Sequence, residues 1–168
     1  MKKYCLDTSG ISKPVLDRPD DIYGPIWRKV IAVIEAGEIA VTTEIYDEMH
    51  GSIWSMVGQC IDANKDLMVL EIADDSWDYA RYVQVAAYMQ MRHREFIAEH
   101  NKNRKDTVGL NDISIIALGK TLDLPVVSME SSAAGSMTKR RIPDICNAEQ
   151  VEHLDFNDFL RQAGIGMG

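Results

Sequence analysis

Cysteine is scarce and scattered: Cys5, Cys60 and Cys146 are the only three, and no Cys-x-x-Cys pair occurs. That usage excludes a disulfide framework and fits reduced thiols. Long hydrophobic runs are missing as well. The longest, such as Val30 to Ile34, are far too short to span a bilayer, and Asp7 interrupts the start before an apolar signal region develops. The expectation is a soluble, cytoplasmic protein with no membrane partner. Basic charge is in deficit, 18 Lys and Arg against 26 Asp and Glu, a net of −8. This argues against binding nucleic acid through overall charge. Local basic clusters, or divalent cations held among grouped carboxylates, are the routes left open.

Repeats, low-complexity stretches and Pro/Ser/Gly linkers are also lacking, and 168 residues suit one domain. Residues 1–163 are read as that domain and 164–168 as a frayed tail. The usual catalytic signatures fail. Gly119-Lys120-Thr121 looks like the end of a phosphate-binding loop, but Ser114 stands where that loop needs glycine. No Gly-x-Ser-x-Gly elbow occurs. The four histidines, His50, His93, His100 and His153, form no His-x-x-x-His pair and read as surface or helix-end residues.

What the chain does have is an alternation of strands and helices. Strands are expected at Lys3 to Asp7, Glu38 to Thr42, Leu67 to Ile72, Leu124 to Ser128 and near Val151 to Leu154. A loop containing Pro14 and Pro19 should lead to a helix from Pro25 to Ala36. Thr42 or Thr43 should cap a helix carrying Ile45, Met49, Ile53, Met56 and Cys60. Asp74-Asp75-Ser76 should cap a long helix reaching His100, followed by a polar break from Asn101 to Gly109. Further helices are expected from Asn111 to Thr121 and from Asp155, with a short turn at Ile142-Pro143-Asp144. The fold class is therefore α/β: a single-domain, three-layer α/β/α arrangement around a parallel sheet of four to five strands.

Four acids fall at related places in this pattern. Asp7 ends the first strand, Glu48 follows the second, Asp112 opens the helix before the fourth, and Glu130 lies two residues past the fourth. The carboxyl ends of parallel strands line the crevice where ligands bind. Carboxylates gathered there repel one another unless a cation sits between them. Mg²⁺ or Mn²⁺, which take oxygen ligands, suit such a set. Each acid has an ordinary explanation too: an Asx turn at Asp7, a solvated Glu48, a dipole-favoured Asp112, a loop acid at Glu130. Their joint placement favours function.

Tyr4-Cys5-Leu6-Asp7-Thr8-Ser9, Thr42-Thr43-Glu44-Ile45-Tyr46-Asp47-Glu48-Met49, Asn111-Asp112-Ile113-Ser114-Ile115-Ile116-Ala117-Leu118 and Leu124-Pro125-Val126-Val127-Ser128-Met129-Glu130 together resemble the four acidic motifs of the PIN-domain superfamily, in that family's order. The closing Arg141-Ile142-Pro143-Asp144-Ile145-Cys146 is similar to a PIN-like bacterial and archaeal subfamily. The superfamily comprises metal-dependent nucleases and includes the VapC toxins of bacterial toxin–antitoxin pairs. Glu130 departs from the Asp usual at the fourth position, and the stretch from Asp74 to Gly109 is longer than in compact toxins. Glu44 shares a helical face with Glu48 and is its rival; Glu48, directly before Met49, matches the pattern better.

The resemblance implies a ribonuclease that hydrolyses RNA phosphodiester bonds. Asp7, Glu48, Asp112 and Glu130 would be both catalytic and metal-binding, with Mg²⁺ or Mn²⁺ as cofactor. Ser9 and Ser128 would orient water or phosphate from behind the acids. RNA contacts would come from Arg92, Arg94, Lys102, Arg104 and Lys105 and from Lys139, Arg140 and Arg141. A small antitoxin and a second copy of the chain are the implied protein partners. The competing reading is a non-catalytic PIN-fold interaction module that binds a protein or RNA.

Overall fold

The structure is a computed structural model and describes residues 1–102, 105 and 107–166. It is a mixed α/β protein whose described residues form one parallel sheet. The strands are β1 (Tyr4–Leu6), β2 (Ile39–Ala40), β3 (Val126–Val127) and β4 (His153–Leu154), in the order β2-β1-β3-β4. Cys5 pairs with Ala40 on one side and Val126 on the other, and Val127 with Leu154. The strands are short and nearly all buried, because parallel strands covered on both faces need apolar residues at every position. This is the expected three-layer class, with four strands in the sheet.

Two helices precede β2. In α1 (Ser9–Asp17) the amide of Ser12 already donates to Thr8 O, at 2.9 Å. This helix was expected to be loop, because Pro14 cannot donate and crowds the preceding turn. Pro14 is nonetheless buried in it, and the chain accepts the lost bond. The next helix, α2 (Asp20–Glu35), is kinked at Tyr23, just before Pro25. Its fully buried Trp27 packs on Phe156 at 5.3 Å between ring centres and donates Nε1–H to Arg18 O.

After β2, Thr42 caps α3 (Thr43–Met49), its Oγ1 accepting from the Ile45 amide. The single helix expected to continue through Cys60 is broken. Gly51 adopts φ +67°, and Ser55 starts α4 (Met56–Ala63) by accepting from the Gly58 amide. The third strand expected at Leu67 to Ile72 does not form. Leu67 and Met68 belong to the four-residue helix α5 (Lys65–Met68), and only Val69 makes a parallel bridge, to Val41. The polar Asn64-Lys65-Asp66 favours a turn, and the apolar run left over is short enough to be absorbed by it.

Asp78, not the Asp74-Asp75-Ser76 cluster, caps α6 (Tyr79–Arg92). That helix stops short of His100 and gives way to a 3₁₀ turn, Arg94–Phe96. The following α7 (Leu110–Leu122) packs on β1 and β3 and carries α3, α6 and α8 (Ile142–Glu149) on its other sides. The turn expected at Ile142-Pro143-Asp144 is thus the first turn of α8. Finally α9 (Phe156–Gln162), capped by Asp155, lies against β4 and α1. The tail is held as far as it is described: the Ile165 amide donates to Leu160 O and Lys29 Nζ to Gly166 O. Residues 167 and 168 lie outside the described residues. Among the described residues no helix is long and apolar enough to cross a membrane.

Candidate functional site

The four acids come from four segments that meet at the carboxyl edge of the sheet. Asp7 is the first residue past β1; its backbone stays in register, donating to Val127 O at 3.0 Å. The residue is 4% exposed, and its Oδ2 accepts from the Ser9 amide (2.9 Å) and the Ser9 hydroxyl (2.6 Å). The same Ser9 oxygen accepts from the Met129 amide at 3.1 Å, joining the Asp7 turn to the loop after β3. The approach of these two segments requires Gly10: a Cβ there would lie 2.6 Å from Val127 O.

Asp112 sits in the first turn of α7, which runs antiparallel to the strands and so starts at the same edge. Its Oδ2 accepts from the Gly109 amide at 2.7 Å, making the acid part of the helix cap. Glu130 folds back on α8, its Oε2 accepting from the Ile142 amide at 3.0 Å. Glu48, exposed on α3, is held at both oxygens, by Thr8 Oγ1 (2.8 Å) and Asn111 Nδ2 (2.6 Å). Thr8 and Asn111 were not singled out from the sequence, although each neighbours a candidate acid there.

The electrostatics register this convergence. Burial raises the Asp7 carboxyl above its ordinary value; the Ser9 bonds pull it back, and the charges of Glu130 and Glu48 push it up again. Asp112 is pushed up to about 7, first by burial, against its bond from Gly109, and then by Asp7, Glu130 and Glu48. Cys146, behind the acids on α8, rises to about 12 through burial and the charges of Asp7 and Glu130. Glu44 takes no part: it lines a separate cavity beside Tyr82.

The donor set suits a hard divalent cation. Asp7, Asp112 and Glu130 each use one oxygen in an internal bond, and the second accepts nothing among the described residues. Two of these acids are held against ionisation by burial and by their neighbours, which a positive charge would reverse. The oxygens stand apart, however: no three His, Cys, Asp or Glu among the described residues form a group ready to hold a metal ion.

Ser128 is fully buried, and its hydroxyl faces His153 Nε2 at 2.7 Å. Burial lowers the His153 pKa, against the charges of Asp155, Glu130 and Asp158. His93 stands at a helix end, as the cap of α6, though buried, whereas the half-buried His153 lies in β4 and is neither the surface nor the helix-end residue expected. His93 Nε2 meets Glu149 at 2.6 Å, and Lys120 Nζ meets its other oxygen at 2.7 Å. Arg92 joins the same carboxylate at 3.3 Å. This cluster sits beside Lys120, about 12 Å along α7 from Asp112, so Arg92 is engaged away from the acids.

Arg140 lies over the Phe96 ring at 5.2 Å. Arg94, Lys102 and Lys105 are exposed and Lys139 is half-buried, while Arg104 lies outside the described residues. Arg141 does reach the site: with Lys13, Thr107 and Ser131 it lines a cavity of about 290 Å³ beside Glu130. Lys13 was missed because the sequence puts it in an apparent proline-broken loop.

Residues 4–167 match the family described as domain of unknown function (DUF4411), and the chain belongs to it. No curated protein matches the chain in sequence.

Proposed function

We propose that this chain is a divalent-cation-dependent endoribonuclease of the cytoplasm, with the carboxylate rim as its active site. One observation carries the proposal: four acids from four separate segments meet at the edge of a parallel sheet, where burial first, and then one another's charge, raise Asp7 and Asp112 above their ordinary pKa. The resemblance of these segments to the PIN motifs supports it. Asp7, Asp112 and Glu130, with Glu48, would hold Mg²⁺ or Mn²⁺, which supplies a water of lowered pKa and neutralises charge on the phosphate.

The protein's own residues do the rest. Ser9 fixes Asp7 and the Glu130 loop in one arrangement through a shared hydroxyl. Lys13 and Arg141, beside Glu130, receive the substrate phosphate, giving affinity without sequence choice. Asp112, protonated in part near pH 7, gives up its proton when the site loads. Glu48 must release Thr8 or Asn111 to turn toward its fellow acids. As a toxin the protein would be blocked at this rim by a small antitoxin, and a homodimer is part of the same proposal.

The test is cleavage of a pooled structured RNA with Mn²⁺ or Mg²⁺, comparing wild type with Asp7→Asn and Asp112→Asn. Cation-dependent cutting lost in both variants supports the nuclease. An inert wild type whose melting temperature ignores both cations sinks it. That outcome favours a non-catalytic interaction module, which the separated acids and the doubly bonded Glu48 also suit.

A further inference from the structure

Beside the first turn of α3 is a second cavity, of about 120 Å³. Its floor is apolar, with Val41 and Leu118, and three aromatic rings wall it: Trp77, Tyr79 and Tyr82. Their centres are 5.5 to 6.1 Å apart and their planes are inclined at 73°, 50° and 35° to one another. Rings so inclined form adjoining walls, not a closed stack. Glu44 stands at the same cavity, and no hydrogen bond or ion pair engages its carboxylate among the described residues. Its charge is felt inside: the Tyr82 hydroxyl is pushed up to about 12, chiefly by burial and next by Glu44. The chain leading into the cavity, residues 71–78, carries Glu71, Asp74, Asp75 and Asp78 and no basic residue.

An aromatic wall offers the negative faces of its rings to a cation, and the attraction grows when the cation is desolvated. A free carboxylate at the same cavity completes the charge balance. The acidic approach repels a polyanion, so this is not a second place for RNA. The geometry points to a site for an organic cation, an alkylammonium or guanidinium head group, held between Trp77, Tyr79, Tyr82 and Glu44. The volume equals that of about four water molecules at ~30 Å³ each, the scale of such a head group. This site is independent of the nuclease proposal, since none of its residues belongs to the carboxylate rim.

The test follows the Trp77 indole N–H by NMR in the full-length ¹⁵N-labelled protein at constant ionic strength, with Trp77→Phe assigning the signal. Choline, arginine and Nα-acetyl-lysine amide are titrated beside 3,3-dimethylbutan-1-ol, the neutral isostere of choline. The expected result is saturable movement of the Trp77 signal by the cations, with the neutral isostere weaker by about tenfold. Glu44→Gln, a change at an exposed side chain, should weaken the cations severalfold and leave the isostere unchanged. Tighter binding of arginine or the lysine amide identifies a protein side chain as the natural occupant. Tighter binding of choline identifies a free quaternary ammonium compound, and both outcomes support the site. Equal binding of choline and its isostere, indifference to Glu44→Gln, or no movement at tens of millimolar would overturn it.

Discussion

Replacing Asp112 by asparagine should make the cation-free protein more stable while abolishing the proposed activity. The folded Asp112 carboxyl titrates at about 7 against an ordinary 3.8. That difference corresponds to about 4 kcal/mol of penalty on the ionised form. Asparagine keeps an oxygen for the Gly109 amide, now 2.7 Å from Asp112 Oδ2, and the stronger bond of the ionised acid is already included in its titration at about 7. The net gain is about 4 kcal/mol above pH 7, or about 8–16 °C in melting temperature for a chain of this size. The sign follows from proton uptake. Between 3.8 and about 7 the folded wild type holds a proton that the unfolded chain has lost, so its stability falls as pH rises through this window. The variant's advantage should open across that window and level off above it. Urea unfolding of both proteins in chelator, from pH 4 to 8, measures the gap. A variant no more stable than wild type at pH 8, or a gap independent of pH, would refute the argument that burial and three neighbouring acids act on Asp112.

Three other outcomes are expected. Glu149→Gln removes a buried carboxylate that Arg92, His93 and Lys120 share, and should cost about 3 kcal/mol in urea unfolding at neutral pH. Burial would raise this carboxyl, but the bonds from Lys120 and His93 outweigh it and hold it low; the wild-type advantage should therefore fade as acid takes the pH down through that lowered value. Gly10→Ala drives a Cβ against Val127 O and should destabilise by about 1–3 kcal/mol, read as a lower urea midpoint at unchanged slope. In the native protein a maleimide should leave the buried Cys5 and Cys146 unmodified and reach only the half-buried Cys60, as peptide mass spectrometry will show.

The sheet and its helix partners were legible because their residues obey one requirement at a time. Tyr4-Cys5-Leu6 and Val126-Val127 are apolar at consecutive positions, as strands covered on both faces must be. Thr42 and Asp155 cap the helices they precede for the ordinary reason that a side-chain oxygen satisfies a free amide. Failures arose where tertiary contacts outweighed a local signal. Pro14 says loop, yet burial beside Ile11 keeps it in α1. Leu67 to Ile72 has a strand's composition, but Met68 is fully buried from within a helical turn. At the rim, acid positions could be read from strand ends, whereas the choice between Glu48 and Glu44 depends on which way α3 turns. The bond from Thr8 to Glu48 and the pairing of Ser128 with His153 had no linear signal, since each joins residues distant in the chain.

The Ser9 hydroxyl, donating to Asp7 and accepting from Met129, has a consequence for how the chain can vary in length. Two loops that meet through one atom cannot lengthen independently: a residue inserted between Asp7 and Ser9, or between Ser128 and Glu130, breaks both ends of the link at once. Insertions and deletions among relatives should therefore avoid these two turns and collect elsewhere in the chain.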